Sequence, residues 1–512
     1  MVESRTHKSL RNIRIALFYY AINLILQFFS RKIFLDHLGA EILGLNTTAV
    51  NLLQFLNLAE LGIGTAISYS LYKPLADRNR QQVNEIVSVQ GYLYRRIGII
   101  ILFGAGILMC FFSRFFAKAD LPLWYAYATF AVLLISSLTG YFFNYRQIVL
   151  TAEQKDYMLN SVVQSIKTIK VILQIFAIAY FSYGYIGWIA LEFLASIITV
   201  FSIKHTLKKE YPWLTANPEN GKTLRKKYPQ IITKTKQLFF HKIATFALFQ
   251  SSPLIVYAYT SLTLVAIYGN YMLIVTGITV LLNAIFNSIG AGIGNLVAEG
   301  DKKKILRVFN ELFTSRFLFV ATVCYSLYVL GSPFITLWIG KEYLLDNFSF
   351  ILIICILYFN TIRNVVDSYI NAYGLFRDIW APITETALNI GLSVLLGYWW
   401  GLHGVLSGVL VSLLLIVFLW KPYFLFRYGI EESIKEYIHI YGKNLVLGIP
   451  TLFLWVYFSR HIPIDPTKSY LSLGLYSALC SGGFFVFLAM VLYSVDRGMK
   501  DFIQRLIRII KP

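Results

Sequence analysis

Seven ionisable side chains are candidates for chemistry because each lies inside a long apolar stretch: Arg31, Glu60, Lys167, Lys170, Arg363, Asp367 and Glu385. Each would cost about 2.5–3.5 kcal/mol against lipid on insertion scales, so such groups turn toward a wet cavity or a partner. Cations in that setting suit an anionic ligand, since lysine and arginine bind phosphate oxygens well. Arg31, Lys167, Lys170 and Arg363 are therefore candidate anion ligands. Glu60, Asp367 and Glu385 can neutralise those cations or hold H+ or Na+ for coupling. Plainer readings exist. Arg363 and Asp367, at i and i+4, can form one intrahelical salt bridge. Arg95, Arg96 and Arg316 can snorkel to the inner interface, and Arg31 and Lys32 to the outer one. Lys167 and Lys170 share a face with no acid one turn away, which favours a cavity role for both. Glu192 is a further acid of this kind.

No set of residues resembles a catalytic centre or a metal site. Cys110, Cys324, Cys355 and Cys480 stand alone in apolar segments and read as packing residues. Histidines 7, 37, 205, 241, 403, 439 and 461 are scattered, mostly near span ends. Ala216–Thr223 (ANPENGKT) loosely matches a phosphate-binding loop. Ala216 replaces the first glycine, no strand precedes it, and Pro218 and Glu219 suit a turn, so nucleotide hydrolysis is not expected. Asn46-Thr47-Thr48 and Asn347-Phe348-Ser349 are formal glycosylation sequons.

The elements that must carry these charges are membrane helices. Of the 512 residues 57% are hydrophobic and 14% charged, with mean hydropathy +0.62; a soluble chain is less apolar and carries about 25% charge. Fourteen spans are expected: Ile13–Leu35, Thr47–Tyr72, Gln90–Phe112, Leu121–Phe143, Tyr157–Phe181, Tyr185–Ile203, Leu238–Tyr259, Leu264–Ile289, Phe309–Leu337, Phe348–Ala372, Ala381–Trp400, Leu402–Phe426, Tyr441–Ser459 and Tyr470–Tyr493. Their unbroken apolar runs exclude a barrel. The first is too long for a cleavable signal. Read as one continuous helix, span two puts Gln54, Asn57, Glu60 and Gly64 within an arc of about 120°.

Net charge is +20. With the amino terminus in the cytoplasm, about 33 basic residues fall on that side and about 7 on the other, the positive-inside signature. Both termini are then cytoplasmic, and the charge needs no nucleic acid. The richest loop, Lys204–Lys236, reads as a linker, and the basic tail after Ser494 as an inner-surface helix or a solvated end.

Three pairs of local matches suggest a repeat at offsets of about 217 to 230. Gly62-Ile63-Gly64 before Asp77 matches Gly292-Ile293-Gly294 before Asp301. Ala152 with Lys155-Asp156 matches Ala372 with Arg377-Asp378. Gly184-x-x-Gly187 matches Gly401-x-x-Gly404. The implied organisation is an all-α membrane protein of about fourteen helices: a six-helix bundle over 1–203, a basic cytoplasmic linker at 204–237, a second bundle over 238–426, and two extra helices with a basic tail over 427–512. Halves of six spans share one orientation, with substrate expected between them. Span eight has no acid at the place of Glu60, so Glu60 is a candidate for ion coupling or for positioning Arg31.

Ser30-Arg31, Leu38-Gly39, Leu43-Gly44-Leu45-Asn46, Leu58-Ala59-Glu60-Leu61-Gly62-Ile63-Gly64-Thr65-Ala66-Ile67 and Tyr72-Lys73-Pro74-Leu75 resemble the Wzx-type polysaccharide transporters of the multidrug/oligosaccharidyl-lipid/polysaccharide flippase superfamily. The resemblance is specific in the first 80 residues and agrees elsewhere in layout. It implies two bundles in a V, alternating access, a cationic central cavity that includes Arg31, and transfer of an undecaprenyl-diphosphate-linked oligosaccharide to the outer leaflet of the cytoplasmic membrane. The partners it implies are the lipid-linked substrate, membrane lipids and polysaccharide polymerase machinery; no cofactor is expected beyond a coupling ion. A drug or cation antiporter of the same fold remains open, as does a membrane polysaccharide polymerase or glycosyltransferase. The short outer loops and the lack of a DxD motif argue against an enzyme.

Overall fold

A computed structural model describes residues 5–60, 62–117, 119–181, 184–233, 235, 252–286, 290–375, 378 and 380–510. They are helical, with no β-strand among them. They divide into two units, Met1–Ala266 and Ile267–Pro512. The first holds α1 (Arg5–Leu56), α2 (Ile63–Ala76), α3 (Arg80–Cys110), α4 (Trp124–Phe142), α5 (Asp156–Tyr180) and α6 (Gly184–Glu210). Helix α7 (Leu262–Phe286) begins in it. The second holds α8 (Gly290–Glu299), α9 (Lys302–Trp338), α10 (Asn347–Ile362), α11 (Asn364–Ala372), α12 (Trp380–Ser412), α13 (Ile434–Ser459), α14 (Tyr470–Ser477), α15 (Gly483–Val495) and α16 (Arg497–Ile510). Span seven lies mostly outside the described residues.

Among the described residues nine helices are long and apolar enough to cross a membrane. One of them, Trp380–Ile430, carries both spans eleven and twelve. It reverses at Trp400 and Gly401, where Gly401 takes φ 53° and ψ −129°, a conformation that disfavours a side chain. The limbs then meet backbone to backbone: a Cβ on Gly404 would lie 2.0 Å from the Leu396 carbonyl oxygen. Ser393 Oγ donates to the Val405 carbonyl at 3.0 Å across this seam. In the first unit a Cβ on Gly187 would lie 3.3 Å from that of Ala177, and one on Gly184 2.9 Å from Ile178 Cα. The glycine pairs noted in sequence thus serve close hairpin packing in both units.

Other repeat features recur. Asn79 caps α3 by accepting from the Gln82 amide at 3.0 Å, and Asp301 caps α9 by accepting from the Lys304 amide at 3.2 Å. Positive φ occurs at Gln154 and at Gly374, just before α5 and shortly before α12. Span two is not one helix. α1 ends at Leu56, Asn57–Glu60 tighten into a 3₁₀ turn, and Gly62 at φ 98° precedes α2. Span eight, expected over Leu264–Ile289, is carried by α7 as far as Phe286.

The unit boundary falls at Ala266, later than the linker expected over 204–237. Residues 252–266 belong with the first unit because their backbone is seated there: a Cβ on Gly44 would lie 1.9 Å from the Leu262 oxygen, and Tyr257 donates to the Phe115 carbonyl at 2.5 Å. The 211–231 segment is also docked. Ala216 and Ile231 are buried, Thr215 N donates to Asn84 Oδ1 at 2.7 Å, and Asn217 N to Ser88 Oγ at 3.0 Å. The Gly221 of the ANPENGKT stretch packs on Ser88 and Tyr92, where a Cβ would be 2.4 Å from the Ser88 oxygen. No phosphate cradle is left there.

The last two spans share the core of the second unit. Phe309, Phe313, Phe317 and Tyr325 of α9 pack with Tyr369, Phe426, Tyr437, Tyr441 and Phe484. Tyr437 and Tyr441 stack at 5.8 Å, with Phe313 edge-on to both. Outward, Phe103, Tyr398, Val446, Phe453 and Leu471 are each at least 70% exposed, which suits lipid.

Candidate functional site

The helix break of span two builds the first polar site. Glu60 accepts from the Tyr94 hydroxyl at 2.7 Å and from the Tyr141 hydroxyl at 2.8 Å. Asn57 Oδ1 accepts from Ser137 at 3.1 Å and Tyr141 at 3.2 Å. The two tyrosine rings meet edge to face at 5.5 Å. The arc drawn for a continuous helix is therefore replaced by a turn, yet Asn57 and Glu60 still share one site. Among the described residues no cation pairs with Glu60. Arg31 donates instead to the Ala266 carbonyl at 3.3 Å, so Glu60 does not position it by an ion pair. The tyrosines were missed in sequence because Tyr94 and Tyr141 sit on other helices.

A second polar face runs along α5: Gln164, Lys167, Lys170 and Gln174, spaced three or four residues apart. Tyr19 of α1 pairs with Ser165 at 2.6 Å, and Asn23 donates to Gln164 at 3.1 Å. Lys170 is neutralised by Glu192 of α6, donating to both carboxylate oxygens at 2.8 and 2.7 Å, and Gln174 adds a bond at 3.2 Å. Lys167 is half-buried and has no ion pair among the described residues. The two lysines therefore differ: one is tied across the hairpin, the other is available. Lys32, one residue beyond Arg31, pairs with Asp36 at 3.5 Å.

In the second unit the structure brings Arg363, Asp367 and Glu385 together and adds Lys421. Arg363 donates to Asp367 at 3.0 Å and to Glu385 at 3.0 Å, and Lys421 donates to Asp367 at 2.7 Å. The intrahelical pair is present, but as part of a four-residue cluster with two positive and two negative charges. Lys421 was missed because it lies at a span end in sequence and reaches Asp367 only through the fold.

Arg316 does not snorkel. It is 1% exposed, within α9. Its Nε donates to the Thr361 carbonyl at 3.2 Å and its Nη2 to Asn283 Oδ1 at 3.1 Å, while Phe286 covers it at 4.4 Å. Asn364 also donates to Asn283, at 2.9 Å.

Two features lie outside these sites. An apolar groove of about 380 Å³ is lined by Ile274, Ile278, Leu327, Leu330, Phe334 and Leu473, among others. The tail helix α16 is docked on α9: Arg307 binds Asp501 at 2.6 Å twice, and Arg505 binds Glu311 at 2.8 and 2.9 Å. Asp496, fully buried, accepts from Thr314 at 2.6 Å, from Asn310 at 3.2 Å and from Lys443. The Arg307 hydrogen bonds hold the Asp501 carboxyl below the usual range. Among the described residues no group of acids, histidines or cysteines could hold a metal ion.

No protein-family profile matches the chain, and no curated protein does. Solved structures do. A structure titled "Lipid II flippase MurJ, inward closed conformation" matches at 15% identity with a TM-score of 0.65, covering 94% of this chain and 98% of that one. An inward-facing multidrug resistance MATE family transporter of the MOP superfamily matches at 14% identity and TM-score 0.53, covering 82% and 98%. Its outward-facing counterpart matches at 14% and 0.51, covering 83% and 96%. The chain therefore has the multi-helix fold found in these transporters.

Proposed function

We propose that this protein moves a polyprenyl-diphosphate-linked oligosaccharide from the inner to the outer leaflet of the cytoplasmic membrane for surface polysaccharide synthesis, as the Wzx-type exporters it resembles do. The observation that carries this reading is Lys167, a half-buried cation in a membrane helix with no counter-ion among the described residues. Keeping such a charge is costly, and an anionic substrate would offset the cost each time it binds. Arg31 is the second candidate for the diphosphate. The fold shared with a lipid II flippase supports a lipid-linked substrate, and the apolar groove of the second unit suits a stretch of prenyl chain. The distribution of basic residues supports cytoplasmic termini. The reading makes the protein a transporter rather than an enzyme, working beside the polymerase that consumes its product.

Coupling falls to Glu60. A carboxylate held, among the described residues, by neutral hydroxyls can take up H+ or Na+ without first breaking an ion pair. Asp367 and Glu385 are each already matched to a cation. The same Glu60 site favours the second reading, a drug or cation antiporter, and the MATE likeness agrees with it.

Transfer of labelled lipid-linked sugar in proteoliposomes decides between them. Lys167→Ala should lower transfer at least about tenfold, the loss of about 1.4 kcal/mol of substrate binding, with the protein still in the membrane. Transfer at the wild-type rate would refute the assignment. Extrusion of cationic drugs without transfer of lipid-linked sugar would select the antiporter.

A further inference from the structure

Two buried arginines of the second unit are treated in opposite ways. Arg363 is matched to two carboxylates at 3.0 Å each. Arg316 is more buried and, among the described residues, has no carboxylate partner. A guanidinium carries five N–H donors. Two are used here, on a backbone carbonyl and an asparagine oxygen, both neutral. Three are left without an acceptor among the described residues, in a place where a buried charge is strongly disfavoured unless something compensates it. Phe286 supplies a ring face and Asn283 an oxygen; neither neutralises the charge.

The register between the units sharpens the point. Tyr94 and Arg316 each stand fifteen residues beyond the side-chain cap of their helix, Asn79 for α3 and Asp301 for α9. Tyr94 reaches the turn that divides span two and donates to Glu60. Arg316 reaches the last turns of α7 and donates to Asn283. The partner helices also correspond: Tyr141, at the end of α4, serves the first site, and Asn364, at the start of α11, the second. Tyr94 and Arg316 thus hold matching positions, and around them stand an acid held by neutral donors in the first unit and a base held by neutral acceptors in the second.

We propose that Arg316, with Asn283 and Asn364 beside it, is an anion-binding site of the second unit, taking a phosphate-type group. Asn283, Phe286 and Asn364 beside the guanidinium are each partly exposed, and an anion that takes the place of the Asn283 oxygen would meet the remaining N–H donors. The identification of that group as the diphosphate of a lipid carrier rests on the function proposed above; the anion site itself does not.

Binding to the purified full chain in nanodiscs tests it, with three probes: inorganic pyrophosphate, a sugar-free polyprenyl diphosphate, and the uncharged polyprenol. Both diphosphates should bind the wild type, and polyprenol should gain nothing from Arg316. Arg316→Gln should weaken both diphosphates at least about tenfold, and Arg316→Lys should recover part of the loss. Arg316→Gln removes a buried hydrogen-bonding group, so Asn283→Asp is the companion variant. It places a carboxylate where an oxygen already sits 3.1 Å from Nη2, keeps the fold, and should abolish diphosphate binding by neutralising the guanidinium in place. Unchanged diphosphate affinity in Asn283→Asp overturns the proposal. Binding of pyrophosphate but not of the lipid diphosphate supports a site for a free anion. If Arg316-dependent binding holds while the wild type moves no lipid-linked sugar, the flippase reading falls and the anion site stands. If the wild type and Asn283→Asp bind and flip alike, the anion site falls and the flippase reading stands.

Discussion

Replacing Glu385 by glutamine should destabilise the second unit strongly, and removing the positive charge of Lys421, on the other limb of the same hairpin, should offset part of that loss. Arg363, Asp367, Glu385 and Lys421 form a cluster of zero net charge whose side chains are 14%, 26%, 2% and 14% exposed. Glu385→Gln leaves one net positive charge there. Removing one partner of a buried pair costs about 3–5 kcal/mol, mostly the desolvation of the charge left behind. Lys421→Met alone leaves one net negative charge and carries a similar cost. The double variant is neutral again, with Arg363 and Asp367 still paired at 3.0 Å. Its loss should fall short of the sum of the two single losses by at least about 1 kcal/mol, within the range found for coupled neighbours. Reversible unfolding in a mild detergent, followed by tryptophan fluorescence, measures the three differences. Additivity within about 0.5 kcal/mol would show that the four residues do not act as one unit. The coupling role proposed for Glu60 requires the same double variant to keep its response to an ion gradient; a lost response would return that role to Asp367 and Glu385.

Glu60→Gln keeps an acceptor for one tyrosine hydroxyl and removes the charge, so it should fold, still bind substrate, and lose dependence on whichever of the pH or Na+ gradients drives the wild type; transfer assays with each gradient imposed separately check this, and an unaltered gradient response would remove Glu60 from coupling. The tail helix should come off α9 in acid. Asp501 is held below the ordinary carboxylate range by Arg307, so its contribution to docking is full above the unfolded value of about 3.9 and is lost as pH falls through the lower folded value. The protection of residues 497–510 against hydrogen exchange, taken relative to the intrinsic rate at each pH, should be high at pH 6 and lost in acid below the ordinary carboxylate range, and Asp501→Asn should lower it at neutral pH; protection that does not change in either case would refute the latch.

Composition made the membrane class and the all-helical fold legible, because apolar excess and basic asymmetry are properties of the sequence itself. The charges that matter were legible too, since any ionisable residue in a long apolar run stands out. Their partners were not. Glu192 lies 22 residues from Lys170 and Lys421 lies 54 residues from Asp367, and only the fold joins them. Arg316 was read as an interfacial residue because hydropathy starts span nine at Phe309. The helix in fact starts at Lys302, which carries Arg316 about 21 Å along its axis. Hydropathy also passed through the break in span two, since it weighs side chains and is blind to the positive φ of Gly62. The repeat was legible in part as glycines: Gly184 and Gly404 proved to sit where backbones approach closely, while Gly292 and Gly294 meet nothing within 4 Å.

The opposite charge of the Glu60 and Arg316 sites bears on how the proposed transport would be driven. An exchanger that carries a cation out on the same group that admits the coupling ion needs one acidic site, and Glu60 with its tyrosines is sufficient for that. It has no use for a guanidinium kept buried and unneutralised at the matching position of the other unit. A carrier of a lipid-linked anion does. It must hold the anion during passage, which calls for positive charge without a resident counter-ion, as at Arg316 and Lys167. It must also take up a cation elsewhere to give the cycle a direction, which calls for an acid without a resident cation, as at Glu60. The remaining charges of the spans, Lys170 with Glu192 and the Arg363 cluster, are internally balanced. Sorting the intramembrane charges by whether other described residues neutralise them therefore sets Lys167, Arg316 and Glu60 apart from the balanced groups, and the proposed function assigns the anion to the first two and the coupling cation to the third.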